Sequence, residues 1–247
     1  MSLNRLYGLV GSSLPHSKSP ILFRKFFQKS GQISNRYELF ELESIDRIPD
    51  LLRNPDLYGF NVTIPYKESI LGYLDEIDSE AKAVGAVNTV VKEGSKWKGY
   101  NTDIFGFSKS LDILGLHSPK QALILGSGGA SQAVQYALRK RACKVEVVSR
   151  KRRPGFIRYS EIDEKVVAPS QLIVNTTPIG KFPDHEIMPY FPYHLLRKDH
   201  IVMDLNYNPP VNAFIRRVWT ENARAMNGSI MLKEQAKKSW QIWKSHQ

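Results

Sequence analysis

The residues able to do chemistry in this chain stand in short polar clusters at the ends of apolar runs. In Asn61-Val62-Thr63-Ile64-Pro65-Tyr66-Lys67 a strand stops at a proline, which puts Thr63 and Lys67 at its carboxyl end. Sheets of α/β proteins gather their ligands there. A lysine so placed can give a proton to a carbonyl oxygen that is becoming an alcohol, or take it back in reverse. The plain alternative is a solvated lysine. Ala83-Val84-Gly85-Ala86-Val87-Asn88-Thr89 and Gly99-Tyr100-Asn101-Thr102-Asp103 set an amide and a carboxylate at strand and helix ends. Asp103 either caps its own helix or pairs with a substrate hydroxyl and with Lys67. In His16-Ser17-Lys18-Ser19-Pro20 the proline stands at the first helical position after Ser19. The two hydroxyls make either a small anion site suited to a carboxylate or an N-cap with a turn serine beside it.

A fourth cluster sits at mid-chain. An apolar strand, Ala122 to Leu125, meets Gly126, Gly128 and Gly129, and a good helix former follows from Ala130. Strand, glycine turn and helix together suit a pyrophosphate: glycines let the backbone approach, and the helix N–H groups and dipole face the anion. The third glycine of the usual spacing is Ser131 here. The next strand, 144–148, runs into Ser149-Arg150-Lys151-Arg152-Arg153 with no acidic residue at its tip. An acid there would take a ribose 2′-hydroxyl, whereas Arg and Lys suit a 2′-phosphate, so NADP is favoured over NAD. Glu146 falls inside the strand and is discounted, and Arg152 and Arg153 read as a solvated basic turn.

These clusters need a framework, and the sequence supplies alternating elements. Strands are expected at 6–10, 37–42 and 59–63, helices at 20–29, around 50–53, at 66–73 and near 79–84. A hairpin of 89–92 and 96–100 turns at Glu93-Gly94-Ser95. This alternation predicts an α/β fold with a mostly parallel sheet and the hairpin at one side. A helix opening at Asn101-Thr102-Asp103 runs to Leu114 and stops at Gly115. It marks the domain boundary: residues 1–101 plus 226–247 form one domain, with a C-terminal helix (230–244) packing back, and 102–225 form a second, Rossmann-like one with further strands at 172–175 and 201–205. The stretch 182–192 reads as a surface loop.

The totals narrow the classes. The 247 residues are 42% hydrophobic and 24% charged, as in an ordinary soluble globular protein. Thirty-five Lys and Arg against 24 Asp and Glu give a net charge of +11, which fits anionic partners: a phosphorylated cofactor, a carboxylate substrate or nucleic acid. The basic residues are scattered and no aromatic residues interleave them, so nucleic acid is the weaker partner. One cysteine, Cys143, excludes an internal disulfide and a cysteine zinc site, and the six histidines carry no metal-binding spacing. No leader or membrane-spanning run is evident, so a cytoplasmic protein with no membrane partner is expected.

HSKSP, NVTIPYK, AVGAVNT with GYNTD, and GSGGAS, in this order, resemble the shikimate dehydrogenase family, and DLNYNP and NGSIMLKEQA resemble its closing motifs. The resemblance covers nearly the whole chain. It implies an N-terminal domain that binds shikimate, a Rossmann-like domain that binds NADP, and an active site in the cleft between them. The reaction implied is the reversible NADPH-dependent reduction of 3-dehydroshikimate to shikimate, a step toward chorismate and the aromatic amino acids. Carried over residue by residue, Ser17 and Ser19 hold the substrate carboxylate with Tyr207 nearby, and Thr63, Lys67, Asn88, Asp103 and Gln235 hold the ring hydroxyls. Lys67 and Asp103 are the catalytic pair, with Lys67 the acid in reduction and the base in oxidation. Gly126, Gly128, Gly129 and Ala130 cradle the pyrophosphate, Ser149, Arg150 and Lys151 meet the adenosine ribose and its phosphate, and Gly228 lies on the cofactor side.

Three departures qualify this. The family's Asn-Arg-Thr is Ser149-Arg150-Lys151 here; the segment 152–169 is short and contains Pro154-Gly155, so its helix is missing or reduced to a turn, leaving the adenine side open; and Asn175-Thr176-Thr177-Pro178-Ile179-Gly180 resembles the family's nicotinamide side, while its Thr177-Pro178-Ile179 gives no specificity signal. The competing expectations are a quinate or quinate/shikimate dehydrogenase using NAD, and a catalytically silent sensor of either compound. A monomer and a homodimer are equally compatible with the sequence.

Overall fold

The computed structural model describes residues 4–246. The chain divides into two compact units, Met1–Phe105 with Lys233–Gln247, and Gly106–Leu232. The first contains β1 (Leu6–Gly11), α1 (Ser19–Lys29), β2 (Arg36–Glu41), α2 (Ile48–Leu52), β3 (Leu57–Val62), β4 (Glu76–Ile77), α3 (Ser79–Val84), β5 (Thr89–Glu93), β6 (Lys96–Tyr100) and the start of α4 (Asp103–Ile113). The second contains β7 (Gln121–Leu125), α5 (Gly129–Arg139), β8 (Lys144–Val148), α6 (Glu164–Val167), β9 (Leu172–Asn175), β10 (Ile201–Asp204), α7 (Ala213–Thr220) and β11 (Arg224–Asn227). The last helix, α8 (Ser229–Ser245), returns the chain to the first unit.

The first sheet has the order β2-β1-β3-β5-β6-β4. Strands β2, β1 and β3 are parallel, β5 is antiparallel to both β3 and β6, and β4 runs parallel to β6. The hairpin therefore stands inside the sheet, not at its side, because the two residues of β4 pair onto its outer strand. Alternate residues serve opposite cores, as the strand period requires: Leu6, Val10, Phe60 and Val90 pack in one, Tyr7 and Val91 in the other. On the second face α8 lays Trp240 and Trp243 against Tyr7, Phe23 and Phe27. The Trp243 indole stacks on Tyr7 with centroids 4.7 Å apart, and its Nε1–H donates to the Val90 carbonyl at 2.9 Å. Gly59 permits this approach, since a Cβ there would lie 2.5 Å from that nitrogen. The helix expected over 66–73 is only a 3₁₀ turn, Ser69–Tyr73, where Ser69 and Gly72 are poor helix formers.

The second sheet is parallel throughout, ordered β11-β10-β9-β7-β8. The chain goes from β7 to β8 on one side, then to β9 on the other. This reversal at β7 is a topological switch point, the place where open α/β sheets hold ligands. After β8 the segment 152–169 folds without a full helix: Ile157 bridges to Val148, a 3₁₀ turn follows at Tyr159–Glu161, and α6 is a single turn capped by the Asp163 side chain. A cavity of about 790 Å³ opens among Arg152, Arg153, Phe156, Arg158 and Glu161. Among the described residues no helix is long and apolar enough to cross a membrane, and no group of His, Cys, Asp and Glu could hold a metal ion.

Candidate active site

The first unit brings Lys67, Asn88 and Asp103 to one place. Lys67 Nζ donates to Asp103 Oδ2 at 2.6 Å, and the two side chains are only 14% and 7% exposed. Asp103 Oδ1 accepts from Asn88 Nδ2 at 2.9 Å. Asp103 does not cap α4; Asn101 does, its Oδ1 accepting the Ile104 N–H at 3.3 Å. That division of labour leaves both carboxylate oxygens to the lysine and the amide. Lys67 is fixed from its own backbone as well, its carbonyl accepting the Val87 N–H at 2.8 Å.

Behind the pair lies a buried polar network. Asn88 Oδ1 accepts from the Thr102 N–H at 2.7 Å and from its hydroxyl at 3.1 Å. The Thr102 hydroxyl also lies 3.3 Å from Gln235 Oε1 and 3.1 Å from Ser239 Oγ, both on α8. Ser239 in turn meets Thr89 Oγ1 at 2.8 Å and accepts from Asn61 Nδ2 at 3.0 Å. Asn61, Thr89, Thr102 and Ser239 are all buried, and a buried polar group is stable only when it is partnered. Sequence reasoning did not single out these four. Asn61, Thr89 and Thr102 lie inside the motifs quoted, but Ser239 is a lone serine in an amphipathic helix and carries no signal of spacing or neighbourhood.

At the amino end of α1, Ser17 and Ser19 do not act as expected of a cap. The helix begins at Ser19, Lys18 holds the N-cap position without a side-chain bond, and Pro20 is one residue inside. Ser17 Oγ accepts the Ser19 N–H at 3.2 Å, in a turn that tightens the entry. Thr63 follows β3, with its N–H donated to Val10.

In the second unit Gly126 has φ +106°, and a Cβ there would press on Thr176 and Thr177 within 3 Å. Only glycine makes this turn without strain. Gly128 faces open space, and α5 starts at Gly129 with no side-chain cap; Ala130 is in its first turn. Ser131 is buried and receives Gln135 Nε2 at 3.1 Å, a packing role in place of the missing third glycine. At the end of β8, Ser149 is buried, shares a 3.1 Å hydrogen bond with Ser127 and accepts the Lys151 N–H, while Arg150 and Lys151 are exposed. Tyr207 is half-buried beyond β10, and the Gly228 N–H donates to the Asn206 carbonyl at 3.0 Å.

At the carboxyl ends of β9 and β10 stands a cluster no spacing rule pointed to. Asp204, fully buried, accepts from Asn175 Nδ2 at 3.0 Å, the Asn206 N–H at 3.1 Å and Nδ2 at 2.9 Å, and Asn212 Nδ2 at 2.7 Å. Burial pushes its carboxyl up to about 6 despite these donors. Burial likewise pushes the Cys143 thiol up to about 11.

A buried lysine–carboxylate pair in a mixed-sheet unit, together with a parallel sheet that has an open glycine turn at its switch point, defines a two-unit α/β protein whose second unit is Rossmann-like. The sequence profile of the shikimate dehydrogenase substrate binding domain matches residues 9–90. A shikimate dehydrogenase (NADP(+)) of Methanococcus maripaludis is 36% identical over 260 residues, spanning 98% of this chain and 92% of its own. The crystal structure of shikimate dehydrogenase from Aquifex aeolicus superposes with a TM-score of 0.87 at 34% identity, covering 98% of this chain and 93% of that one. That of the Thermus thermophilus enzyme, in complex with NADP(H) and shikimate, gives 0.86 at 28% identity, covering 98% and 94%. The chain belongs to the shikimate dehydrogenase family.

Proposed function

We propose that this chain catalyses the reversible NADPH-dependent reduction of 3-dehydroshikimate to shikimate, a step of the pathway to chorismate and the aromatic amino acids, as a cytoplasmic enzyme. The observation that carries the proposal is the Lys67–Asp103 pair, 2.6 Å apart and withdrawn from water, with Asn88 on the second carboxylate oxygen. A silent sensor needs no such pair.

The cofactor fits the second unit on its own features. The open face at Gly128 and the uncapped start of α5 leave room and N–H groups for a pyrophosphate. The tip of β8 has no acid to repel a 2′-phosphate and presents Arg150 and Lys151. Gly126, Gly128, Gly129 and Ala130 would hold the pyrophosphate, Ser149, Arg150 and Lys151 the adenosine ribose and its phosphate, with Gly228 on the same side. When bound, NADPH supplies a hydride to the ketone carbon.

The protein's share is the proton and the placement. As the carbonyl oxygen gains negative charge, Lys67 Nζ delivers a proton to it; in oxidation the same nitrogen takes the hydroxyl proton. Asp103 holds the ammonium and a ring hydroxyl in line. Thr63, Asn88 and Gln235 bind the remaining hydroxyl edge, and Ser17, Ser19 and Tyr207 take the carboxylate. On this reading the first unit is the substrate domain and the second the cofactor domain.

The test is the absorbance of reduced nicotinamide with shikimate or quinate, each offered with NADP or NAD. Turnover confined to shikimate with NADP is expected. Turnover with quinate or NAD would move the protein to the neighbouring specificity, and none in any combination would sink the enzymatic reading.

A further inference from the structure

Leu125, Asn175 and Asp204 form one row across the carboxyl edge of the second sheet, in register on β7, β9 and β10. Leu125 leads straight into the glycine turn. From Asn175 the segment 176–180 rises beside that turn: the Thr176 N–H and hydroxyl both donate to the Leu125 carbonyl at 2.9 and 2.8 Å. Thr176 and Thr177 are also the side chains that Gly126 leaves room for.

What holds this segment is a set of amides with two grips. Asn206 Nδ2 donates to the Thr177 and Ile179 carbonyls at 3.1 and 3.0 Å, Asn175 Nδ2 to the Ile179 carbonyl at 3.2 Å, and Asn212 Nδ2 to the Gly180 carbonyl at 2.9 Å. Each of these amide nitrogens also donates to Asp204. One carboxylate thus anchors every side-chain amide that grips 177–180. The site suits a carboxylate and nothing else of its shape. It presents donors only; an asparagine would turn an NH₂ toward other NH₂ groups, and an apolar residue would leave them unpaired. Keeping an anion here, fully buried and hydrogen-bonded by amides alone, opposes stability, so a purely structural account explains the cluster poorly.

We propose that Asp204 is a positioning residue for the dinucleotide: through Asn175, Asn206 and Asn212 it fixes the segment 176–180 as the wall of the glycine turn. This rests on the cofactor site proposed above, deepens it, and adds a residue that does not touch the cofactor.

The experiment is NADP⁺ binding by calorimetry to wild type, Asp204→Asn and Asn206→Ala, well below each melting temperature, with hydrogen exchange of the cofactor-free proteins read by peptide. A residue that only stabilises the fold leaves the affinity of the folded fraction unchanged. Here Kd is expected to rise about tenfold in both variants, the loss of one charge-assisted hydrogen bond. Exchange should quicken in 176–180 while β9 and β10 stay protected. Should Asp204→Asn fail to fold, Asn206→Ala decides alone, since Asn206 is only half-buried and its backbone N–H bond to Asp204 is kept. Unchanged Kd in the folded variants overturns the proposal, as does absence of NADP⁺ binding by wild type. If wild type binds NADP⁺ and the variants bind it weakly, the positioning role stands even where no shikimate is turned over; that last result defeats the proposed reaction only.

Discussion

Lys67 and Asp103 can pair because Asp103 is not spent on capping its own helix. Asn101 caps α4 and the Lys67 carbonyl is met by Val87, so the two side chains are free to make one short ion pair. Replacing Lys67 by alanine removes the proton donor and leaves the hydroxyl-binding groups standing. Turnover is expected to drop by about 10²–10⁴-fold, with only a modest change in the KM for shikimate. Steady-state kinetics decide it, and a near-normal kcat would take Lys67 out of the reaction. Asp204 answers to pH instead. Its carboxyl lies at about 6 when folded, because burial outweighs its amide donors, against an ordinary 3.8. The folded chain therefore keeps a proton that the unfolded chain has lost, and between about pH 4 and 6 stability falls as pH rises. The contribution is whole below the ordinary carboxylate range and gone once pH has passed through the folded value. Tyr193, which also senses the Asp204 charge, is pushed upward chiefly by burial and stays protonated across this range. Urea unfolding from pH 4 to 7 should show a downward slope in wild type that is flatter in Asp204→Asn; parallel curves would clear Asp204 of it.

Among the elements, α8 does two jobs with two faces. Trp240 and Trp243 fasten it to the sheet, while Gln235 and Ser239 enter the polar network behind Lys67 and Asp103. The two can be separated by mutation. Trp243→Ala removes a buried indole stacked on Tyr7 and bonded to Val90, and should cost about 3–5 kcal/mol in urea unfolding with little change in kcat. Ser239→Ala should cost less, about 1–3 kcal/mol, yet lower kcat more, since its hydroxyl steadies Thr102 and through it Asn88. The reverse ranking would show that the network is only structural. This helix also marks what a sequence can reveal. The helix itself was legible, as were the main strands and the glycine turn after β7, because each is a local pattern of residue types. The hairpin's place inside the sheet was not, since that depends on a two-residue β4 too short to carry a period. Ser239 and Asn212 were silent for a different reason: their meaning lies in partners far along the chain, as Ser239 with Asn61, or Asn212 with Gly180.

At the scale of the whole molecule the remaining quantity is charge. A net +11 on 247 residues exceeds what Lys67, Arg150 and Lys151 need for their proposed contacts, so the surplus acts as a field. Such a field raises the local concentration of anions and speeds their arrival, and salt screens it over about 10 Å at 0.1 M. Both ligands proposed here are anions, but NADP carries several charges and shikimate one. Raising monovalent salt from about 0.05 to 0.5 M, which shortens the screening length roughly threefold, should therefore raise the KM for NADP more steeply than the KM for shikimate. The kcat should hold nearly constant, because Lys67 and Asp103 are largely withdrawn from solvent and buried pairs are screened least. If both KM values stay level while Arg150→Ala raises the KM for NADP, attraction is local to the β8 tip and the surplus charge serves only solubility. If kcat falls with salt, the Lys67–Asp103 pair is wetter during turnover than its geometry shows.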